Sequence, residues 1–194
     1  LAMAIVIERI IALTKYSISA EPFMKQVDKL VREGQIDRAR KLCQAAPNSV
    51  LARVLLSGLN RANHGEAEVS AALEESVLEV TPMVGKRIPS LFPLANIATL
   101  IGLIGTILGL IKTFAAIGNA APEMKAQLLS IGISEAMYNT AFGLIIAVAC
   151  IAAQLWLGNK AKGMLEEIEH NALKLENLLA RRAAGELGGA EKAA

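Results

Sequence analysis

Hydrophobic and polar positions divide the chain into apolar runs and charged segments. Residues 88–111 and 136–159 form two runs of 24 residues, each without a charged side chain. At about 1.5 Å per residue, a helix of that length spans roughly 36 Å, more than the approximately 30 Å hydrocarbon core of a bilayer. Both runs are therefore predicted to cross a membrane as helices.

The segment between the two runs has the composition of a turn in water. Residues 118–127 contain Gly118, Pro122 and one charge of each sign. The pattern predicts a transmembrane hairpin, with helices over residues 88–117 and 128–158 joined by a periplasmic loop.

The chain also begins with apolar sequence. Residues 1–7 carry no charge, and Glu8 and Arg9 follow directly. We expect residues 1–15 to be the inner end of a transmembrane helix whose beginning is missing. A signal peptide fits less well, because no small-residue cleavage site follows.

Positive charges predict the orientation of these segments. Cytoplasmic flanks are rich in lysine and arginine, and such residues flank the hairpin at Lys86, Arg87, Lys160 and Lys162, while the loop is neutral. Residues 16–87 and 159–194 are therefore predicted to be cytoplasmic, with the C-terminus on that side.

The cytoplasmic segments have helical rather than alternating periodicity. Helices are expected from Pro22 to Gly34, and over residues 36–46, 50–60 and 66–80. After the hairpin, apolar residues recur at spacings of three and four: Leu165, Ile168, Ala172, Leu175 and Leu179. Packing of this helix on its own chain is favoured over a dimeric coiled coil. The predicted fold class is an all-α integral membrane protein.

Composition excludes several classes of function. The chain is 54% hydrophobic, with a net charge of +2 and 4% aromatic residues, so it lacks the basic, aromatic surface of a nucleic-acid-binding protein. Cys43 and Cys150 have no CxxC partners. His64 and His170 have no metal-ligand spacing. We therefore expect neither an enzyme nor a cofactor-binding protein.

Each predicted span carries one stripe of small and polar residues when its positions are placed at about 100° intervals. The first stripe is Ala98, Thr99, Gly102, Gly105, Thr106, Gly109, Thr113 and Ala116. The second is Gly132, Ala136, Asn139, Thr140, Gly143, Ala147, Cys150 and Gln154. Small residues permit close helix packing in lipid. The threonines are consistent either with packing, by bonding to a carbonyl one turn earlier, or with a polar pathway.

Two charged residues lie at the edges of the spans. Glu135 precedes the second apolar run, and ionisable groups in spans usually serve ion pathways or pair with another charge. The alternative is that Glu135 is simply exposed at the membrane interface. Lys112 is expected to extend its ammonium group to the membrane surface.

Two motifs resemble a known family. The stretch Leu100-Ile-Gly-Leu-Ile-Gly-Thr-Ile-Leu-Gly-Leu110, followed by Phe114, is similar to the GLLGTVxGxxxxF core of the MotA/TolQ/ExbB proton-channel family. The stretch Ile133-Ser-Glu-Ala-Met-Tyr-Asn-Thr-Ala-Phe-Gly-Leu144 resembles its IxEALxxTAxGL segment. The residues around 34–43 and 51–55 resemble the ExbB and TolQ branch.

The resemblance implies a homopentamer in the bacterial inner membrane. It implies a single-span ExbD-, TolR- or MotB-like partner whose transmembrane aspartate takes part in ion flow. The family's pore threonines fall on Thr106 and Thr140, and its motif glutamate on Glu135. Together with Asn139, these are the predicted ion-pathway residues, and Gly102, Gly105, Gly109 and Gly143 form the predicted packing or pore stripe.

The sequence departs from the family pattern at a few positions. The family often has Ala-Pro where this chain has Ala98 and Thr99, and often has proline where it has Ala149. Lys112 stands where other members carry a neutral polar residue. These differences affect where the helices are expected to bend and which subfamily the chain resembles.

The resemblance therefore predicts a motor subunit that uses the proton motive force for mechanical work across the cell envelope. The work is outer-membrane import, envelope maintenance or gliding, and the translocated ion is H⁺, with Na⁺ as the alternative. A non-conducting membrane scaffold that recruits cytoplasmic partners is the competing hypothesis.

Overall fold

The structure is a computed structural model, and it describes residues 2–185. Within that range the chain is helical and contains no strand. The helices are α1 (Ala2–Tyr16), α2 (Ala20–Arg32), α3 (Ile36–Gln44), α4 (Val50–Asn60), α5 (Glu66–Gly85), α6 (Leu91–Gly118) and α7 (Pro122–Ala183). The prediction of an all-helical chain with two long apolar helices is confirmed.

The chain divides into two compact units. The first contains the residues up to Val6 together with Arg87–Gly158, and the second contains Ile7–Lys86 and the chain from Asn159 onward. Helices α1 and α7 therefore contribute residues to both units.

The first unit is built from α6 and the first part of α7. Both helices are long and apolar enough to cross a membrane, judged by length and composition. Helix α7 begins at Pro122, inside the segment predicted as a loop, so only residues 119–121 separate the two helices. Proline suits the first turn of a helix because its missing N–H group needs no partner there.

The outer faces of these two helices consist of large apolar side chains. Exposed examples are Leu100, Ile101, Leu103, Ile104, Ile107 and Leu108 on α6, and Met137, Leu144, Val148 and Leu155 on α7. A contiguous apolar surface of this extent is rare on soluble monomers. It is the surface expected of helices that contact lipid.

The second unit has a conventional apolar core formed by α2 to α5. Val27, Val31, Leu55, Leu59 and Val80 are fully buried. The left-handed φ of 78° at Gly34 suits the turn that separates α2 from α3, since glycine adopts this conformation without steric cost.

Helix α5 is longer than the sequence predicted. We expected it to end near Val80, but it continues to Gly85 and includes Pro82. Val84 is fully buried in the core. The burial of this side chain favours the continued helix despite the backbone hydrogen bond that a proline removes.

The C-terminal part of α7 packs within its own chain. Ile168, Ala172, Leu175 and Leu179 are buried in the single chain, and Leu165 is half-buried. The predicted seam is therefore covered without a second copy, which favours intrachain packing over a dimeric coiled coil. The predicted tail beyond residue 185 lies outside the described residues.

Cys43 provides a test of the core. Burial raises the pKa of its thiol to about 12, so the thiolate fraction at pH 8 should be on the order of 1000-fold below that of an unfolded cysteine. We expect native iodoacetamide labelling of Cys43 to be correspondingly slow, and to rise about ten-fold per pH unit past pH 9 instead of levelling off. Mass spectrometry of the labelled peptide measures the rate. Denatured protein is the control, and equal rates in the two states would contradict the burial.

Candidate functional site

Glycines bring the backbones of α6 and α7 into direct contact. A Cβ atom built on Gly143 would lie 2.7 Å from the carbonyl oxygen of Ala98 and 3.0 Å from the Cα atom of Gly102. A Cβ on Gly102 would lie 2.9 Å from the carbonyl oxygen of Asn139. Any side chain at either position therefore requires the two backbones to separate.

Further small residues continue this contact along both helices. A Cβ on Gly105 would lie 2.8 Å from Cβ of Asn139, and one on Gly109 would lie 3.0 Å from Cβ of Ala136. Near the α6–α7 turn, a Cβ on Gly132 would clash with the side chain of Thr113. We call the contact formed by Gly102, Gly105, Gly109, Gly132 and Gly143 the glycine seam.

Two hydroxyl groups meet within the glycine seam. Oγ1 of Thr106 lies at hydrogen-bonding distance from Oγ1 of Thr140, from the carbonyl oxygen of Ala136 (3.2 Å) and from that of Gly102 (3.2 Å). Oγ1 of Thr140 is 3.5 Å from the carbonyl oxygen of Gly102. These two hydroxyls and two carbonyls form the hydroxyl cluster.

The hydroxyl cluster has more acceptor sites than protons. Each threonine hydroxyl supplies one proton and two lone pairs, and the carbonyls of Gly102 and Ala136 only accept. The two protons can satisfy two acceptors, so lone pairs remain for an outside donor. The cluster is therefore suited to accept hydrogen bonds from water or a protonated carboxyl group, and its oxygens are also the ligand type of a hard cation.

Both threonines remain half-buried in the single chain. Thr106 bonds to the carbonyl of Gly102 one turn earlier, as Thr113 bonds to Gly109 and Thr99 bonds to Ala95. This is the bonding expected from helix packing. The packing contact therefore leaves both threonines partly exposed, and the ion-pathway role of Thr106 and Thr140 stays a prediction.

The other predicted pathway residues lie at the margin of the seam. Nδ2 of Asn139 donates to the carbonyl oxygen of Gly105 at 3.3 Å, although the residue is exposed as a whole. Glu135 is exposed and immediately precedes Ala136, whose carbonyl belongs to the hydroxyl cluster. Lys112 is also exposed.

One member of the hydroxyl cluster, Ala136, was not among the predicted site residues. The carbonyl of Ala136 accepts a hydrogen bond from α6, but a backbone oxygen has no signature in the residue type. Its availability depends on how closely the two helices approach, and the small residue at position 136 was the only sequence signal.

We predict that Gly143→Leu separates α6 from α7. The new side chain must displace backbone atoms, which should cost about 1–3 kcal/mol, and should lower the denaturation midpoint in detergent. Gly158→Leu is the matched control on the same helix, because no heavy atom of the described chain lies within 4 Å of a Cβ built there. Equal losses in the two variants would contradict the proposed close contact.

Comparison with known proteins agrees with the geometry. The profile of the MotA/TolQ/ExbB proton channel family matches residues 46–170. A relative from Synechocystis, the biopolymer transport protein ExbB-like 3, is 31% identical, and the match covers 78% of this chain and 72% of the relative.

Two further relatives match shorter parts. The biopolymer transport protein exbB1 of Vibrio cholerae is 38% identical over 38% of this chain and 32% of its own length. The Tol-Pal system protein TolQ of Haemophilus influenzae is 29% identical over 51% of this chain and 43% of its own length. The family match includes both helices of the glycine seam and the hydroxyl cluster between them, and the chain belongs to the MotA/TolQ/ExbB proton channel family, in its ExbB/TolQ-like branch.

Proposed function

We propose that this chain is the ion-conducting subunit of a motor that converts the proton motive force into mechanical work across the cell envelope. The observation that carries the proposal is the hydroxyl cluster, in which Thr106 and Thr140 place acceptor-rich oxygens between two apolar helices. Packing alone would be satisfied by a bond from each hydroxyl to its own helix. Because two hydroxyls meet across the seam, oxygen lone pairs remain unused, and a proton that is being translocated can bond to them.

The orientation in the proposed arrangement follows from the apolar helices and the flanking charges, and the stoichiometry and the partner follow from the resemblance to the family. Helices α6 and α7 cross the bacterial inner membrane, and the C-terminal part of α7 lies in the cytoplasm. Five copies form a ring around the transmembrane helices of an ExbD- or TolR-like partner. The names of relatives support this proposal, because two are biopolymer transport proteins and one belongs to a Tol-Pal system.

The hydroxyl cluster is proposed to act on an aspartate of the partner helix. An ionised carboxylate is costly in an apolar environment, and a hydroxyl that donates to it lowers that cost. Once protonated, the acid can donate to a threonine oxygen and then move past the apolar wall. A membrane potential of 100 mV supplies about 2.3 kcal/mol per charge, which is enough to bias such steps in one direction.

The translocated ion is proposed to be H⁺. The description of the matching family as a proton channel family supports this choice. The proposed work is outer-membrane import, envelope maintenance or gliding, which the names ExbB and TolQ favour. Glu135 and Asn139 are proposed to contact the partner or the pathway, since both are exposed beside the seam.

We predict that Thr106→Val and Thr140→Val preserve assembly but reduce proton flux at least about ten-fold. A hydrogen bond to a charged group contributes about 1.5–3 kcal/mol, and valine has the shape of threonine without its hydroxyl. Flux is measured with a pH-sensitive dye in vesicles that contain this chain and its partner. Thr106→Ser should retain most of the flux.

Thr99→Val is the matched control for this experiment. Thr99 lies on the same stripe of α6 and bonds to the carbonyl of Ala95 in its own helix, so the valine variant should conduct normally. If a chain carrying both Thr106→Val and Thr140→Val still supported mechanical work at the wild-type level, the result would favour the scaffold hypothesis. Loss of assembly with normal flux per remaining complex would favour helix packing alone.

We also predict that affinity purification of this chain from its native membrane recovers a single-span protein with an aspartate in its transmembrane segment. Mass spectrometry identifies the partner, and native mass spectrometry gives the stoichiometry. Replacing that aspartate with asparagine should abolish flux without releasing the partner. Purification with cytoplasmic proteins alone would contradict the motor proposal.

A further inference from the structure

A crevice of about 400 Å³ lies in the second unit. Its walls are the C-terminal half of α1, the turn that leads into α4, and the later turns of α5. The volume falls within the range of small-molecule sites in proteins. The crevice is separate from the glycine seam and from the hydroxyl cluster.

Positive charge predominates in this crevice. Arg9, Lys15 and Arg53 line it, together with one acidic residue, Glu8. Arg53 is paired with Glu79 at 2.5 Å, and Arg9 is paired with Glu8. Lys15 is exposed and forms no ion pair within residues 2–185, so its ammonium group is free to meet an anion.

The N-terminus of α4 opens onto the same crevice. Asn48, Ser49 and Val50 are lining residues, and Ser49 caps the helix by accepting a hydrogen bond from the N–H of Ala52. Helix N-termini carry partial positive charge and bind anions. The first turn of α4 contains no acidic residue that would neutralise this charge.

Arg9 places a buried cation in the wall of the crevice. Only 3% of the residue is exposed, and two guanidinium nitrogens donate, to the carbonyl oxygen of Met83 at 3.4 Å and to Glu8. The buried Nε–H has no hydrogen-bond partner among the described residues. A buried donor without an acceptor is costly, but the Nε atom is itself inaccessible, so Arg9 acts on an anion in the crevice through the positive charge of its guanidinium group.

Apolar side chains complete the crevice. Ile11, Ala12, Val80 and Met83 line it beside the cationic groups. A mixed cationic and apolar lining fits an anion attached to a hydrocarbon part. The two helices that flank the crevice, α1 and α5, also adjoin apolar sequence. Helix α1 begins with the apolar residues 2–7, and α5 ends three residues before Ile88.

We propose that this crevice binds a phosphate-bearing anion, with the headgroup of an acidic membrane lipid as its source. Lys15 contacts the phosphate oxygens, the positive charge of Arg9 attracts them from the wall of the crevice, and the apolar residues contact the glycerol and the first methylenes of the chains. The site goes beyond the proposed motor function, and ion conduction through the hydroxyl cluster does not require it.

Titration of the purified full chain in detergent tests the proposal. The first probe is dioctanoyl phosphatidylglycerol, with zwitterionic dioctanoyl phosphatidylcholine as its comparison, and the second is inorganic phosphate at constant ionic strength. Thermal shifts give the dissociation constants. No ion gradient is present, so the result is independent of the motor proposal.

We expect phosphatidylglycerol to bind more tightly than phosphatidylcholine, and Lys15→Gln to weaken that binding about five-fold, as expected for one cation at an anionic surface. Lys15 is exposed, so the variant should fold. Lys41→Gln is the matched control, since Lys41 is an exposed cation on α3 outside the crevice, and it should bind like wild type.

Each of the other outcomes of the titration has a different meaning for the proposed site. Binding of inorganic phosphate that is weakened by Lys15→Gln, without preference for phosphatidylglycerol, would keep the anion site and assign it to free phosphate. Absence of binding by both probes, or equal binding by wild type and Lys15→Gln, would overturn the proposal.

Discussion

The contact between the backbones of α6 and α7 is the constraint on which the candidate site depends. In lipid, the hydrophobic effect gives helices little reason to associate, so van der Waals contact and interhelical hydrogen bonds must hold them together. Glycines at 102 and 143 remove the side chains that would separate the two backbones. Only because the helices approach this closely can Thr106 reach both Thr140 and the carbonyl of Ala136.

The same contact gives the hydroxyl cluster its chemistry. Two hydroxyl protons face a larger number of oxygen lone pairs, and the surrounding side chains are apolar. Such a cluster holds no charge of its own, yet it can accept a hydrogen bond from a proton carrier that arrives from a partner. Packing and the proposed conduction therefore involve the same atoms, and separating them experimentally requires variants that remove a hydroxyl while keeping the shape of the side chain.

The second unit is stabilised by a different interaction from the first. Its helices bury a core of valine and leucine side chains, including Val27, Leu55 and Val80, as a protein in water does. The seam of α7 is covered within the same chain. Against this background the buried Arg9 is unusual, because its side chain is nearly inaccessible and one of its donors lacks an acceptor among residues 2–185. The crevice beside it is lined by two further cations, Lys15 and Arg53.

The sequence by itself determined the helical class, the two apolar helices and the family, because hydrophobic periodicity and the motifs around Thr106 and Thr140 are local properties of the chain. It was less successful where distant residues decide the outcome. The extension of α5 through Pro82 depends on the burial of Val84, and the carbonyl of Ala136 accepts a hydrogen bond from Thr106 only through contact with α6. Tertiary structure decided these features, because backbone oxygens and burial acquire their roles only when segments far apart in sequence meet.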